Sequence, residues 1–119
     1  MTSEEYARQV GMFMLSVARD QGVSREHYAY RRLFSLAATR IMFQGKDEYS
    51  ERDDTVQLVE TKPLPALVQD IEEEITDLTA YAVALSHRLP EKHRDACEEI
   101  VFLAMQMMEL TGKMREDDE

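Results

Sequence analysis

Residues 69–89 read QDIEEEITDLTAYAVALSHRL, a stretch in which acidic residues overlap with a helical apolar pattern. Five acids fall within residues 70–77. An α-helix turns about 100° per residue, so the apolar residues around this stretch share one stripe and predict a helix over about residues 66–88. Burying an unpaired carboxylate is costly, so the position of each acid around the helix matters. The stripe consists of Leu67, Ile71, Ile75, Leu78, Leu85 and Leu89.

Two helices are predicted before this one. Thr2 and Glu5 have the spacing of a capping box, ahead of an apolar period that ends at Gly22. Ser24 is a good N-cap for a second helix that ends at Gly45. The short connection predicts that these two helices are antiparallel neighbours.

The rest of the chain divides at points where the apolar period stops. We predict a long polar loop at residues 46–62 and a frayed acidic tail at residues 115–119. The dipeptide at 89–90, Leu-Pro, ends the third helix and precedes a fourth over about residues 91–114. Residues 1–119 are therefore predicted to form a single all-α domain, a four-helix antiparallel bundle.

Composition excludes several classes of protein. Apolar residues make up 44% of the chain, and no apolar run reaches the ~18–20 residues of a membrane span. The single Cys97 excludes an internal disulfide, and the polar N-terminus argues against a secretory signal, so we expect a cytoplasmic protein. The net charge of −10 disfavours direct binding of nucleic acid. Such an acidic chain is suited to holding divalent cations or to binding a basic protein.

The acids of the third helix are not equivalent. Glu74 falls inside the apolar stripe, whereas Asp70 and Asp77 fall at its edge and Glu73 lies further round. Glu72 points roughly opposite the stripe and is predicted to face solvent. These acids also allow a purely structural interpretation, because carboxylates near a helix N-terminus stabilise the helix by about 0.3–1 kcal/mol.

The fourth helix repeats the arrangement. Glu99 falls inside its stripe, and Asp95 falls at the edge. In an antiparallel hairpin Asp77 comes level with about Glu99, so several carboxylates are predicted to converge. Converging carboxylates repel unless they are protonated, paired or metal-bound, and oxygen ligands suit Mg²⁺ or Mn²⁺. The stripe consists of Ala96, Ile100, Leu103, Met107 and Leu110.

Residues 101–110, VFLAMQMMEL, are apolar over more than one helical face. One partner helix in a hairpin covers only one face. The remaining apolar surface therefore predicts burial against a second chain. We therefore expect a homo-oligomer whose interface includes Val101, Phe102, Met105 and Met108.

The run EEITD at residues 73–77, followed by Tyr81 and an apolar run to Leu85, resembles the MazG-like, all-α nucleoside triphosphate pyrophosphohydrolases. RIMFQGKDEY at residues 40–49 is similar to small phage and actinobacterial members, and the resemblance covers roughly residues 36–105. It implies an oligomeric helical bundle that holds Mg²⁺ through E-E-x-x-E on one helix and E-x-x-D on the next. It also implies cleavage of nucleoside triphosphates to monophosphate and pyrophosphate, in the host cytoplasm if the protein is phage-encoded.

The family motif fits this chain in two ways. In one, the acids of residues 73–77 take the place of E-E-x-x-E and those of residues 95–98 take the place of E-x-x-D. In the other, Glu74 and Asp77 form E-x-x-D, and the partner acids come from residues 48–51. Glu74 and Asp77 belong to both arrangements.

Two functions are therefore predicted. The first is Mg²⁺-dependent release of pyrophosphate from a nucleotide; the alternative is a non-catalytic acidic helical protein, such as a phage-type inhibitor or DNA mimic, that binds a basic protein partner. An enzyme needs its acids to converge in a cleft, whereas an interaction protein presents them outward. The predicted enzymatic roles are metal ligation by Glu74, Asp77, Glu99 and Asp95, catalysis by Glu73 or Asp70, and phosphate binding by Arg40 and Lys46.

Overall fold

The computed structural model describes residues 1–44, 49 and 57–118. This part of the chain is helical and contains no β-strand, so the predicted all-α class is confirmed. No described helix combines the length and apolar character that a bilayer span requires. The elements are α1 (Ser3–Gln21), α2 (Tyr28–Thr39), a π-helical turn (Arg40–Gln44), α3 (Leu58–Thr61), α4 (Leu64–Arg88), a 3₁₀ turn (Glu91–His93) and α5 (Arg94–Asp118).

Contacts divide the chain into two compact units, Met1–Lys62 and Pro63–Glu119. The prediction of one domain stays a prediction, and each unit is described by itself. Gly45, the acids predicted at 48–51 and most of the predicted loop lie outside the described residues.

Helix α1 has the ends that its sequence predicts. The Thr2 hydroxyl accepts a hydrogen bond from the Glu5 backbone N–H at 3.1 Å. Gly22 ends the helix with φ of 70°, a left-handed conformation that other residues adopt at a cost of roughly 1–2 kcal/mol. Both caps were predicted, and both are confirmed.

Helix α2 begins later than predicted. Its N-cap is His27, whose Nδ1 accepts from the Ala29 backbone N–H at 3.2 Å. The Ser24 hydroxyl instead accepts from the Glu26 backbone N–H in the preceding turn, at 3.1 Å. Ser24 therefore stabilises the connection and does not cap the helix.

Helix α3 and its N-cap residue, Gln57, form hydrogen bonds with the first residues of the chain. Gln57 is fully buried, and its amide donates to the Met1 carbonyl at 3.2 Å and to the Ser3 hydroxyl at 3.4 Å. The Glu60 carboxylate accepts from the Gln57 backbone N–H at 2.9 Å and from the N-terminal ammonium at 3.2 Å. These two donors lower the pKa of Glu60. The short helix thus lies inside the segment that the sequence predicts as a loop.

The second unit is an antiparallel hairpin of α4 and α5. Along each helix, one set of buried and half-buried residues recurs at intervals of four and three residues in turn. This is the spacing of a coiled-coil seam. Several seam residues are small, which lets the two helices approach closely. The seam consists of Val68, Glu72, Ile75, Thr79, Ala82, Ser86 and Leu89 on α4, and of Cys97, Val101, Ala104, Met108 and Thr111 on α5.

The bounds of both hairpin helices differ slightly from the predicted ones. Helix α4 starts two residues before the predicted residue 66 and ends at Arg88, with Leu89 as its C-cap, as predicted. Helix α5 continues through Asp118, beyond the predicted end near Met114. Arg115, placed in the tail by its sequence, makes an ion pair across the seam with Glu72.

Replacing a small seam residue should separate the helices. Ala82 is 4% exposed, so we expect Ala82→Leu to destabilise the protein by about 1–3 kcal/mol through overpacking. Ala84, two residues along the same helix, is exposed, and Ala84→Leu should change stability by less than about 0.5 kcal/mol. Urea denaturation followed by circular dichroism measures both, and equal effects would contradict the proposed seam.

Two helical glycines provide a second matched test. A Cβ added at Gly11 would lie 2.6 Å from Phe34 Cε2, where α1 and α2 meet, whereas one added at Gly112 meets nothing within 4 Å. Alanine should therefore stabilise the protein at Gly112 by about 0.5–1 kcal/mol. At Gly11 the displaced ring should cancel this gain and leave a net loss of about 1 kcal/mol. Thermal unfolding of both variants would contradict us if Gly11→Ala melted higher than Gly112→Ala.

Candidate functional site

Glu72 is the acid that links the two helices of the hairpin. Its carboxylate accepts hydrogen bonds from the Thr111 hydroxyl at 2.9 Å and from Arg115 Nε at 2.9 Å. Arg115, and then Thr111, lowers the pKa of the Glu72 carboxyl. The side chain is only 22% exposed. The prediction that Glu72 faces solvent is therefore wrong, because the helices meet through small residues on one edge of the predicted apolar stripe.

The acids predicted to bind metal are spread outward. Glu74, Asp77, Glu99 and Asp95 are all exposed. The described residues contain no group of three or more His, Cys, Asp or Glu side chains positioned to hold a metal ion. As placed, these four carboxylates do not fit a Mg²⁺ ion, which needs several oxygen ligands close together.

The two predicted catalytic acids also lie on α4. Glu73 is exposed and accepts a hydrogen bond from Gln69 Nε2 at 3.2 Å, and Asp70 is half-buried. Glu72, Glu73 and Asp77 line one cavity of about 300 Å³. Of these three acids, Glu72 also pairs with α5. The hydrolase stays a prediction.

The predicted phosphate-binding residues are on the other unit. Arg40 is exposed and begins the π-helical turn after α2. Lys46 lies outside the described residues.

The four residues predicted to form an oligomer interface fall into two pairs. Val101 and Met108 are half-buried in the seam. Phe102 and Met105 are 53% and 65% exposed, each one position after a seam residue. Self-association through these residues stays a prediction, and only the second pair is free to contact another chain.

Six large apolar residues form an exposed surface on one side of the hairpin, which we call the apolar face. An antiparallel helix pair has a twofold axis perpendicular to the plane of the two helices. Because of this axis, the residue immediately before each seam residue lies on the same side of that plane in both helices. All six residues hold such positions and are 36% to 55% exposed: Ile71, Leu78 and Leu85 on α4, and Leu103, Met107 and Leu110 on α5.

Three of the predicted metal ligands border this apolar face. Glu74 precedes the seam residue Ile75 and so lies on the same side of the hairpin. Asp77 and Glu99 lie on the outer edges of α4 and α5, next to that side. We call Glu74, Asp77 and Glu99 the acidic border. The apolar face therefore has carboxylates next to it.

The seam could have been found in the sequence. Cys97, Ala104 and Thr111 are spaced by seven, as are Ile75 and Ala82, which is the repeat of a coiled coil. The larger apolar residues beside them form a stronger pattern, which predicts the contact surface on the wrong edge of each helix.

In comparisons with protein-family models, curated proteins and solved structures, no match to this chain was found. The resemblance to the MazG-like family therefore stays a prediction.

The contacts of Glu72 predict a pH-dependent contribution to stability. The folded-state pKa of this carboxyl is lowered, so its contribution is present above the pKa of the unfolded chain and is lost as pH falls through the folded-state pKa. Glu72→Gln should therefore lower the urea midpoint at neutral pH and have a smaller effect at pH 3. Glu74→Gln, which changes an exposed acid two residues away, is the control and should change neither midpoint. A Glu72→Gln effect that persisted unchanged at pH 3 would contradict this ion-pair explanation.

Proposed function

We propose that the protein is a helical binding module whose C-terminal hairpin receives a basic amphipathic helix of a partner protein. The observation that carries the proposal is the apolar face with its acidic border. This corresponds to the second of the two predicted functions, in which the acids point outward and the partner is basic.

The amount of exposed apolar surface supports a binding role. Soluble proteins rarely expose large contiguous apolar patches unless these bind something. The seam is formed by other residues, and the residues of the apolar face stay 36% to 55% exposed beside it. It consists of aliphatic and methionine side chains, and methionine adapts readily to different partner surfaces.

The negative charge of the hairpin favours a basic partner. Residues 63–119 carry fourteen Asp or Glu against five Lys or Arg, a net charge of −9. A second copy of the hairpin would bring the same charge, whereas a basic segment would be attracted and guided to the site. The acidic border places part of this negative charge beside the apolar contacts.

The shape of the hairpin favours a helical segment. Helices α4 and α5 have 25 residues each, or about 37 Å at 1.5 Å per residue. The groove between two such helices suits the apolar stripe of an amphipathic helix with anchors at i, i+3, i+4 and i+7. Lysines or arginines on the sides of that helix would meet the acidic border.

The test uses the full chain and a fluorescent helical peptide of about 20 residues, with a leucine stripe and lysines on its other faces. We expect fluorescence anisotropy to show binding that weakens as salt rises. Leu85→Gln should weaken the affinity about tenfold, which corresponds to about 1.4 kcal/mol of lost apolar contact. The matched control is Val83→Gln, because Val83 is 46% exposed against 45% for Leu85 but follows a seam residue and lies on the opposite side.

A second pair of variants tests the acidic border. Glu74→Gln combined with Glu99→Gln should flatten the salt dependence, whereas Glu109→Gln, at an exposed position away from the apolar face, should not. Equal peptide affinity for Leu85→Gln and Val83→Gln would overturn the proposal. So would nucleotide-dependent release of pyrophosphate that Glu74→Gln abolishes, since that result supports the predicted hydrolase.

A further inference from the structure

The N-terminal unit contains a cavity of about 790 Å³ between α1 and α2, and most of its charged lining residues are basic. Its walls carry four arginines and one acid, Glu26, although the whole chain has a net charge of −10. The four arginines are Arg8, Arg25, Arg31 and Arg32.

The arginine side chains are available to a ligand. Arg25, Arg31 and Arg32 are exposed, and their side chains pair with no other described residue. Arg8 pairs with Glu4 at 3.3 Å, but both side chains are mostly exposed, and such surface pairs contribute only about 0–1 kcal/mol. An anion can therefore bind in the cavity without breaking a strong internal contact.

The start of α2 adds to the positive potential. This helix has 12 residues and no acid in its first turn. The positive end of a helix dipole favours anions, and an acidic residue there would normally offset it. Arg31 and Arg32 lie within the first two turns, close to this helix end.

Aromatic rings form the remaining distinctive part of the cavity. Tyr28 is 75% exposed. The rings of Tyr30 and Phe34 lie parallel, with centroids 6.4 Å apart and an interplanar angle of 6°. Phe34 lies against Gly11, where the absence of a side chain allows the ring to approach α1. The rings provide flat surfaces beside the positive charge.

We propose that this cavity binds a small phosphate monoester that carries a planar aromatic group. The guanidinium groups would bind the phosphate oxygens in their forked geometry, and the planar group would stack on the aromatic side chains. The volume lies within the range of roughly 300–1,000 Å³ that small-ligand sites occupy. The overall charge of −10 disfavours a long polyanion such as a nucleic acid. This inference does not depend on the proposed function of the hairpin.

The experiment uses calorimetric titration of the full chain. The probes are 1-naphthyl phosphate, adenosine monophosphate, inorganic phosphate and adenosine, which separate the phosphate from the ring and a nucleotide from an aryl phosphate. We expect both esters to bind at least tenfold more tightly than inorganic phosphate or adenosine. A preference for one ester identifies the source of the planar group.

Three variants and one control locate the site. Arg31→Gln and Arg32→Gln should each weaken binding of the esters about tenfold. Arg19→Gln is the control, because Arg19 is also an exposed arginine of this unit but does not line the cavity. Tyr28→Leu should weaken binding of the esters and leave that of inorganic phosphate unchanged; circular dichroism checks that each variant is folded.

Three results would overturn the inference. The first is equal affinity of Arg31→Gln, Arg32→Gln and Arg19→Gln for the esters. The second is equal binding of inorganic phosphate and the esters to the unchanged protein. The third is loss of ester binding in Glu74→Gln, which would place the ligand on the hairpin. Leu85→Gln should bind the esters normally, so failure of the peptide experiment and failure of this one are distinguishable.

Discussion

The close packing of small side chains between α4 and α5 is the constraint on which the C-terminal unit depends. Ala82 and Ala104 are almost fully buried, and their size lets the two helices approach closely. Leu78 and Leu110 hold positions beside this seam, and they remain at the surface. One choice of contact thus both holds the hairpin together and leaves an apolar surface exposed.

The same geometry gives the acids of α4 different roles. Glu72 lies in the seam, where Arg115 and Thr111 satisfy its carboxylate and hold its pKa low. Glu74, two residues on, is exposed in the acidic border. An acid inside a packed seam needs partners from the opposite helix, whereas an exposed acid is free to attract a basic partner. Neighbouring carboxylates therefore differ in role according to their direction from the helix axis: Glu72 stabilises the hairpin, whereas Glu74 is exposed, where we propose that it attracts a basic partner.

The N-terminal unit is organised differently. Gln57 and Glu60 anchor the first residues of the chain through a set of hydrogen bonds, and Gly11 allows α1 and Phe34 to meet closely. The arginines around its cavity give this part of an acidic protein a locally positive surface. The two proposed sites thus differ in the sign of their charge, and they would select ligands of opposite charge.

The sequence by itself determined the helical class, the caps of α1 and the break at Leu89, since these depend on local apolar period, capping chemistry and the geometry of proline. It also determined that the second half of the chain is acidic. Only the tertiary structure decided which edge of each apolar stripe forms the contact, because Ile71 and Ile75 are equally apolar and both lie on the predicted face. That choice rests on how closely two helices approach, which depends on residues from both of them at once. The roles of Glu72 and Glu74 follow from it, so a helical wheel of one helix assigned them the wrong way round.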